Sequence, residues 1–136
     1  MRAWYLDTSA FVKLIRVEPH SVELRRWLRA RETVGDVIAS SDLLRSEAIR
    51  VARRVDEQSL IGVVLSLLNR IAMIQVDASV FQRAGYVGSP WLHSLDAVHL
   101  AAAQELGGDL SAVVAYDERL LTAAAAVGLP TLSPTS

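Results

Sequence analysis

The chain contains no cysteine among its 136 residues. It therefore has no disulfide framework, no zinc–thiolate site and no cysteine nucleophile. Lysine is nearly absent too, because thirteen of the fourteen basic residues are arginine and Lys13 is the exception. Arginine is the cation best suited to bidentate contact with phosphate. These absences leave carboxylates, hydroxyls, histidines and arginines as the candidate functional groups.

Long apolar runs are also missing. The longest one, residues 60–68, is far too short to cross a bilayer, so no membrane association is expected. The apolar N-terminal stretch is interrupted by Asp7 and Lys13 before it reaches the length of a signal peptide, which predicts a cytoplasmic protein. With 51% hydrophobic and 21% charged residues, the chain is expected to fold as one globular domain over residues 1–136.

The charge is unevenly distributed along the chain. Residues 25–54 hold eight arginines and four acids, a local charge of +4, so the remainder of a chain of net charge −1 carries −5. This asymmetry would suit a polyanionic substrate. A solvated helix surface, or a genome that prefers arginine codons, would explain it equally well.

Apolar spacing and capping residues predict strands alternating with helices along the whole chain. Strands are predicted at residues 3–6, 37–39, 73–76 and 113–115, with a short edge strand at 130–132. Helices are predicted at residues 10–15, from 21, at 43–55, 57–71, 77–86 and 94–104, and from 117 to about 127. Residues 40–42 are interpreted as a capping cluster, and Ser94 as a helix N-cap. This order predicts an α/β fold with a parallel sheet covered by helices on both faces. In such sheets, ligands bind beyond the carboxyl ends of the strands.

Four acidic residues stand where a charge is unusual. Asp7 and Asp117 follow buried strands, although each could simply cap the next helix. Glu47 lies at the edge of an apolar helical stripe, where it could pair with Arg50. Asp96 lies in the first turn of a helix that is apolar on most sides, where it could complement the helix dipole.

Together these acids indicate a site for a divalent cation. Two like charges 4 Å apart repel by about 4 kcal/mol at an effective dielectric of about 20, so a cluster of ionised carboxylates needs a compensating charge. Lys13 is the only lysine near these motifs. Oxygen ligands without cysteine favour Mg²⁺ or Mn²⁺ over zinc, and carboxylate-bound Mg²⁺ is typical of sites that cut or transfer phosphates.

Four blocks of the sequence resemble the signature blocks of PIN domains. They are residues 7–14, 46–47, 95–101 and 116–120, and the block Asp-Ala-Val-His-Leu-Ala within the third is especially specific. The resemblance covers nearly the whole chain and is greatest to the VapC toxins of VapBC toxin–antitoxin pairs.

The resemblance implies a three-layer α/β/α fold with a central parallel sheet of four to five strands. It also implies a metal-dependent endoribonuclease toxin that uses metal-activated water, forms a homodimer and is inhibited by a VapB-like antitoxin. The family's catalytic and metal-binding acids, with one or two Mg²⁺ or Mn²⁺ ions, correspond here to Asp7, Glu47, Asp96 and Asp117.

Other positions follow from the resemblance with less support. Ser9 matches a hydroxyl beside the first acid that could contact a metal-bound water or a phosphate. Ala115 departs from the threonine found in many relatives, which removes a possible hydrogen bond and leaves the orientation of Asp117 in question. His99 also matches a family residue, but a single histidine on a buried helix is interpreted as structural.

Substrate contacts are expected from the arginine-rich region. Its arginines would hold the phosphates that flank the cleaved bond, with Arg45, Arg50 and Arg53 as the candidates.

Two phosphoryl-aspartate classes are excluded by single positions. A phosphatase of the haloacid dehalogenase type needs a second aspartate two residues after the first, where this chain has Ser9. A receiver domain needs a lysine after a late strand, and the only lysine is Lys13. Two alternatives to the toxin remain: a PIN-like module that binds RNA or protein without cutting, and a housekeeping RNA-processing nuclease.

Overall fold

The computed structural model describes residues 1–55 and 58–135. Its strands are β1 (Ala3–Leu6), β2 (Val37–Ser41), β3 (Ala72–Ile74), β4 (Leu110–Val114) and β5 (Thr131–Leu132). Its helices are α1 (Thr8–Ile15), α2 (Ser21–Thr33), α3 (Leu43–Arg54), α4 (Gln58–Leu68), α5 (Ala78–Ala84), α6 (Ser94–Gln104) and α7 (Glu118–Ala126). A 3-10 turn at Gly107–Asp109 precedes β4.

The five strands form one parallel sheet in the order β3-β2-β1-β4-β5. Alternation along the strands sends neighbouring side chains to opposite faces. Leu6 and Val114 join the core formed with α1 to α4, whereas Tyr5 and Val113 join the core formed with α6 and α7. The predicted three-layer α/β/α fold with a parallel sheet of four to five strands is therefore confirmed.

The strand order reverses between β1 and β4. From β1 the chain builds outward through β2 and β3, and then crosses to β4 and β5 on the other side. Such a reversal leaves a crevice beyond the carboxyl ends of the two central strands, where doubly wound proteins bind their ligands. The fold therefore directs attention to the residues that follow β1 and β4.

Several predicted element ends are displaced. β2 continues through Ser40 and Ser41, both buried, so these serines belong to the strand and not to a helix cap. β4 begins at Leu110, three residues before the predicted start, and β3 ends two residues early at Ile74. The cap position of α6 is taken by His93, with no side-chain capping bond, and Ser94 is its first residue. The helix predicted at 57–71 is found as α4, and its predicted first residue, 57, lies outside the described residues.

No helix within residues 1–55 and 58–135 has the length and apolarity needed to cross a membrane.

Candidate active site

Asp7 is anchored where β1 ends beside β4. Its backbone N–H donates to the carbonyl of Val114 at 3.0 Å. Its carboxylate Oδ2 accepts from the backbone N–H of Ser9 at 3.1 Å and from the Ser9 hydroxyl at 2.8 Å, which caps α1. The Ser9 oxygen in turn accepts from the backbone N–H of Tyr116 at 3.0 Å. Ser9 therefore joins the segments after β1 and β4 and fixes the orientation of Asp7.

The buried imidazole of His99 lies among groups from three elements. Its Nε2 is 2.7 Å from Glu47 Oε1 on α3 and 3.8 Å from Asp7 Oδ1. Its Nδ1 is 2.7 Å from the hydroxyl of Tyr5 on β1. The hydroxyl of Thr8 donates to the same Glu47 oxygen at 2.7 Å. When protonated, the ring donates through Nδ1 to Tyr5 and through Nε2 to Glu47, so every polar atom of the ring has a partner.

The charge states of His99 and Glu47 support one another. Burial disfavours the imidazolium, but the hydrogen bond to Glu47 and the charges of Asp7, Glu47 and Asp96 outweigh it and raise the pKa of His99. Burial likewise opposes ionisation of Glu47, yet the contacts with His99 and the Thr8 hydroxyl lower the pKa of Glu47. Each partner therefore favours the charged form of the other, the imidazolium of His99 and the carboxylate of Glu47.

Asp96 is held close to other carboxylates. Burial raises the pKa of Asp96, and the charges of Asp117 and Asp7 raise it further, while His99 and His93 offset part of the shift. Asp117 caps α7, because its Oδ1 accepts from the backbone N–H of Arg119 at 2.9 Å. That bond orients Asp117 without the threonine that the sequence lacks at Ala115. Three acids from three parts of the chain thus share one electrostatic environment.

The fit of this site to a cation depends on its donors and their arrangement. As the side chains stand, the part of the chain that the structure describes contains no group of three His, Asp or Glu residues able to hold a metal ion. Glu47 is turned toward His99, and the carboxylates of Asp7 and Asp117 also cap helices. The donor chemistry does fit, since the carboxylates are all-oxygen and repel one another at Asp96. Coordination would therefore require a rearrangement of side chains, most clearly at Glu47.

The predicted arginines lie on the helix that carries Glu47. Arg45, Arg50 and Arg53 are exposed along α3. Nε of Arg45 lies 3.7 Å from Asp42 Oδ1, so part of its charge is already offset. These positions are compatible with phosphate contact at the protein surface, and none of the three is in the buried part of the site.

Sequence reasoning interpreted His99 as structural and did not identify its contacts with Glu47 and Tyr5. Lys13, the cation it considered, pairs with Glu18 at 3.4 Å, whereas the ring of His99 lies between Glu47 and Asp7. The spacing of Asp96 and His99, one helical turn apart, was the available signal. The contribution of Tyr5 could not be found in the same way, because it depends on which face of β1 meets α6.

Comparison with known proteins identifies the class. A family model described as the PIN domain matches residues 4–126. The chain therefore belongs to the PIN domain family.

Full-length relatives narrow this membership. Ribonuclease VapC47 of Mycobacterium tuberculosis is 40% identical over 130 residues, with 96% of each chain covered. Ribonuclease VapC35 of the same organism is 41% identical over 132 residues, again with 96% of each covered. Within the PIN domain family, the chain is a member of the VapC group.

Solved structures agree on the fold. The crystal structure of Mycobacterium tuberculosis VapC20, a toxin that cleaves the sarcin–ricin loop, matches with a TM-score of 0.72 at 17% identity over 96% of this chain and 99% of that one. VapBC2 of Rickettsia felis, solved with a DNA fragment from its promoter, matches with a TM-score of 0.74 at 15% identity over 96% and 98%. At these identities the match concerns the architecture.

Proposed function

We propose that this chain is a divalent-metal-dependent endoribonuclease, the toxin of a toxin–antitoxin pair. The observation that carries the proposal is the convergence of Asp7, Asp96 and Asp117 at the strand-order reversal, close enough for two of them to raise the pKa of the third. The VapC relatives, with 36–41% identity, support RNA as the substrate.

The cation would be Mg²⁺ or Mn²⁺, held by Asp7, Asp96 and Asp117, with Glu47 joining them once it leaves His99. When bound, such an ion neutralises the acids and favours deprotonation of water for attack on a phosphodiester. The protein's own part is positioning. Ser9 fixes the Asp7 carboxylate through a 2.8 Å hydrogen bond and has no second hydroxyl proton to donate to a phosphate. Contact of the Ser9 hydroxyl with a phosphate would require it to give up its bond to Asp7.

The contact with the buried His99 ring favours the ionised form of Glu47 before any cation is present. A positive charge on the ring would limit the repulsion among the acids. Rotation of the half-buried Glu47 side chain away from His99 would free its carboxylate for the cation. Flanking phosphates of the RNA would be held at the surface by Arg45, Arg50 and Arg53.

A VapB-like antitoxin is proposed as the protein partner. The match to the VapBC2 complex of Rickettsia felis supports it through the shared fold. A homodimer is a further proposal that rests on the family resemblance. Expression of the chain with and without the neighbouring gene tests the partnership, since growth arrest is expected only when the neighbour is omitted. Harmless expression of an active nuclease would favour the housekeeping alternative.

One observation favours a second function, a PIN-like module that binds RNA or protein without cutting. The hydrogen bonds that Glu47 makes with His99 and Thr8 satisfy this acid without a metal. The cleavage experiment with chelator and metal, described next, distinguishes the nuclease from the non-cutting module.

The test compares RNA cleavage by the purified protein in excess chelator and after addition of Mg²⁺ or Mn²⁺. Cleavage is expected only with the metal, and Asp96→Asn should lower it at least ~100-fold because a ligand charge is lost. Each ion should also raise the melting temperature of the wild type through mass action, and much less that of Asp96→Asn.

Asp109→Asn is the matched control. Asp109 has a side chain 64% exposed beside the N-terminal amine, and its loss should leave both cleavage and the metal-induced shift unchanged. Cleavage that persists in chelator, or an Asp96→Asn variant as active as the control, would exclude the metal mechanism. A metal-induced shift without cleavage of any RNA would favour the non-cutting module.

A further inference from the structure

A second cleft adjoins the acidic site. It has a volume of about 490 Å³ and lies between the first turn of α6 and one side of α7. Asp96 belongs to the acidic site and also lines this cleft, so the two share this side chain. The remaining wall is mostly apolar and includes Leu92 and Ala123, and its volume is in the range of sites for small organic ligands, about 300–1,000 Å³.

The rim of this cleft carries an indole that almost fully faces solvent. Trp91 is 90% exposed, while its neighbour Leu92 packs against two buried clusters of the core. The Ser89 hydroxyl accepts from the backbone N–H of Trp91 at 3.1 Å, and the Ser89 carbonyl accepts from Leu92 at 3.0 Å. Gly88 has a φ of +69° and approaches the Leu92 side chain so closely that a Cβ would lie 3.3 Å from it. The backbone that carries the exposed indole is therefore fixed in this turn.

The chemistry of the cleft suits an unpaired nucleobase. An aromatic ring and an apolar wall offer a stacking surface, and every base has a π-face. His93 and Arg119 line the same cleft and add hydrogen-bond donors for the sugar and phosphate. Sequence-specific binding of RNA usually works on bases that leave the stack and pack against aromatic side chains.

We propose that Trp91 and this cleft form a stacking site for one nucleobase of the RNA strand beside the scissile phosphate. The inference rests on the proposed ribonuclease function and extends it to the choice of substrate. Asp96, one of the acids proposed to act on the phosphodiester, lines the same cleft as Trp91, which favours RNA over a protein as the occupant.

The test is steady-state cleavage of a short single-stranded RNA that spans a mapped cleavage site. Trp91→Ala should raise KM by about 5- to 100-fold, the usual effect of removing one stacking partner, with kcat changed much less. Trp91→Phe should recover most of the loss. The melting temperature of Trp91→Ala should equal that of the wild type, since the indole is exposed.

Tyr86 provides the matched control. It is 84% exposed and belongs to the same stretch between α5 and α6, but it is not among the residues lining the cleft, so Tyr86→Ala should leave KM unchanged. An RNA with an abasic nucleotide at the stacked position, identified by scanning the positions around the cleavage site, should abolish the difference between wild type and Trp91→Ala.

Wild-type fluorescence supplies an independent readout. Trp4 and Trp27 pack edge to face at 5.0 Å and are half-buried, so quenching by RNA should come mainly from Trp91. An unchanged KM in Trp91→Ala, or an equal increase in Tyr86→Ala, would refute the stacking site while wild-type cleavage leaves the proposed function intact. A loss of antitoxin binding with normal RNA kinetics would assign Trp91 to a protein partner instead. A wild type that cleaves no RNA would refute both proposals.

Discussion

The arrangement around His99 shows how a single side chain can make a cluster of acids tolerable without a metal. The buried His99 ring is bonded to Glu47 and close to Asp7, and its charged form replaces part of the solvation that these carboxylates lose. Because the ring is only 2% exposed, its charge depends on these partners. The ring and Glu47 therefore act as a unit, and removal of the ring leaves a half-buried carboxylate without its cation.

This pairing predicts a pH-dependent stability. The folded-state pKa of His99 is raised, so its stabilisation is fully present below the unfolded value of about 6.5 and is lost as pH rises through the folded value. The folded-state pKa of Glu47 is lowered, so its share is lost as pH falls through that value. His99→Asn should lower the free energy of unfolding by about 2 kcal/mol near pH 6 and by less at alkaline pH.

Urea denaturation of the wild type and of His99→Asn, in the presence of a chelator and from acid to alkaline pH, measures the difference in their free energies of unfolding. A difference that stays constant from acid to alkaline pH would show that the ring stabilises the fold by packing alone. His20→Asn is the control for the same change of residue type, because His20 is exposed and is not a partner of Glu47.

The candidate acids could be predicted from the sequence because each one interrupts a local pattern of apolar residues. Asp7 and Asp117 follow apolar strands, and Glu47 and Asp96 lie on helices whose neighbours are buried. The side chains that contact these acids were harder to predict. The contact between Tyr5 and His99 joins residues 94 positions apart, and it exists only because α6 packs on the face of the sheet to which Tyr5 points.

At the scale of elements, the acids that close the strands also start the helices. Asp7 caps α1 and Asp117 caps α7, so the capping interpretation and the catalytic one describe the same side chains. Loop-to-helix junctions beyond a parallel sheet place such caps at the ligand-binding edge. The two roles can be separated chemically, because asparagine caps a helix about as well as aspartate but carries no charge.

Asp117→Asn should therefore keep the stability of the wild type within about 0.5 kcal/mol, whereas Asp117→Ala should lose about 1 kcal/mol. Both should lose cleavage and the metal-induced thermal shift. Asp77 is the control, since it caps α5 through a 3.0 Å bond to the Val80 N–H but lies outside the acidic site. Asp77→Ala should lose similar stability and retain cleavage. Cleavage retained by Asp117→Asn would limit Asp117 to its capping role.

The alternation of strands and helices was predictable because apolar strands and amphipathic helices have different periods. The ends of the strands and helices were harder to predict. Ser40 and Ser41 look like caps, yet β2 runs through both, and Ser40 satisfies its hydroxyl by donating to the Leu6 carbonyl at 2.8 Å. That bond joins adjacent strands and has no local signature. The helix predicted to start at residue 77 begins at Ala78, and Asp77 caps it through a contact within three residues.

At the scale of the whole molecule, the arginine-rich region is divided between two helices, α2 and α3. Helix α2 carries Arg31 toward the start of β2, where its Nη1 lies 3.5 Å from Asp36, far from the carboxyl ends of the strands. Helix α3 starts at the carboxyl end of β2, and Arg50 and Arg53 are exposed in its second half. A local charge of +4 in sequence therefore does not translate into one uniform phosphate-binding surface.

Salt titration of RNA binding should resolve this division. Each phosphate contact with a single strand contributes about −0.7 to the slope of log affinity against log salt. Arg50→Gln and Arg53→Gln should each reduce the magnitude of the slope by about 0.7. Arg31→Gln should leave the slope unchanged, because Asp36 already offsets the charge of Arg31. Fluorescence anisotropy of a labelled single-stranded RNA in chelator gives the slopes. Equal losses in all three variants would indicate a diffuse field of the whole arginine-rich region, and contacts at α3 would then be excluded as the source of phosphate binding.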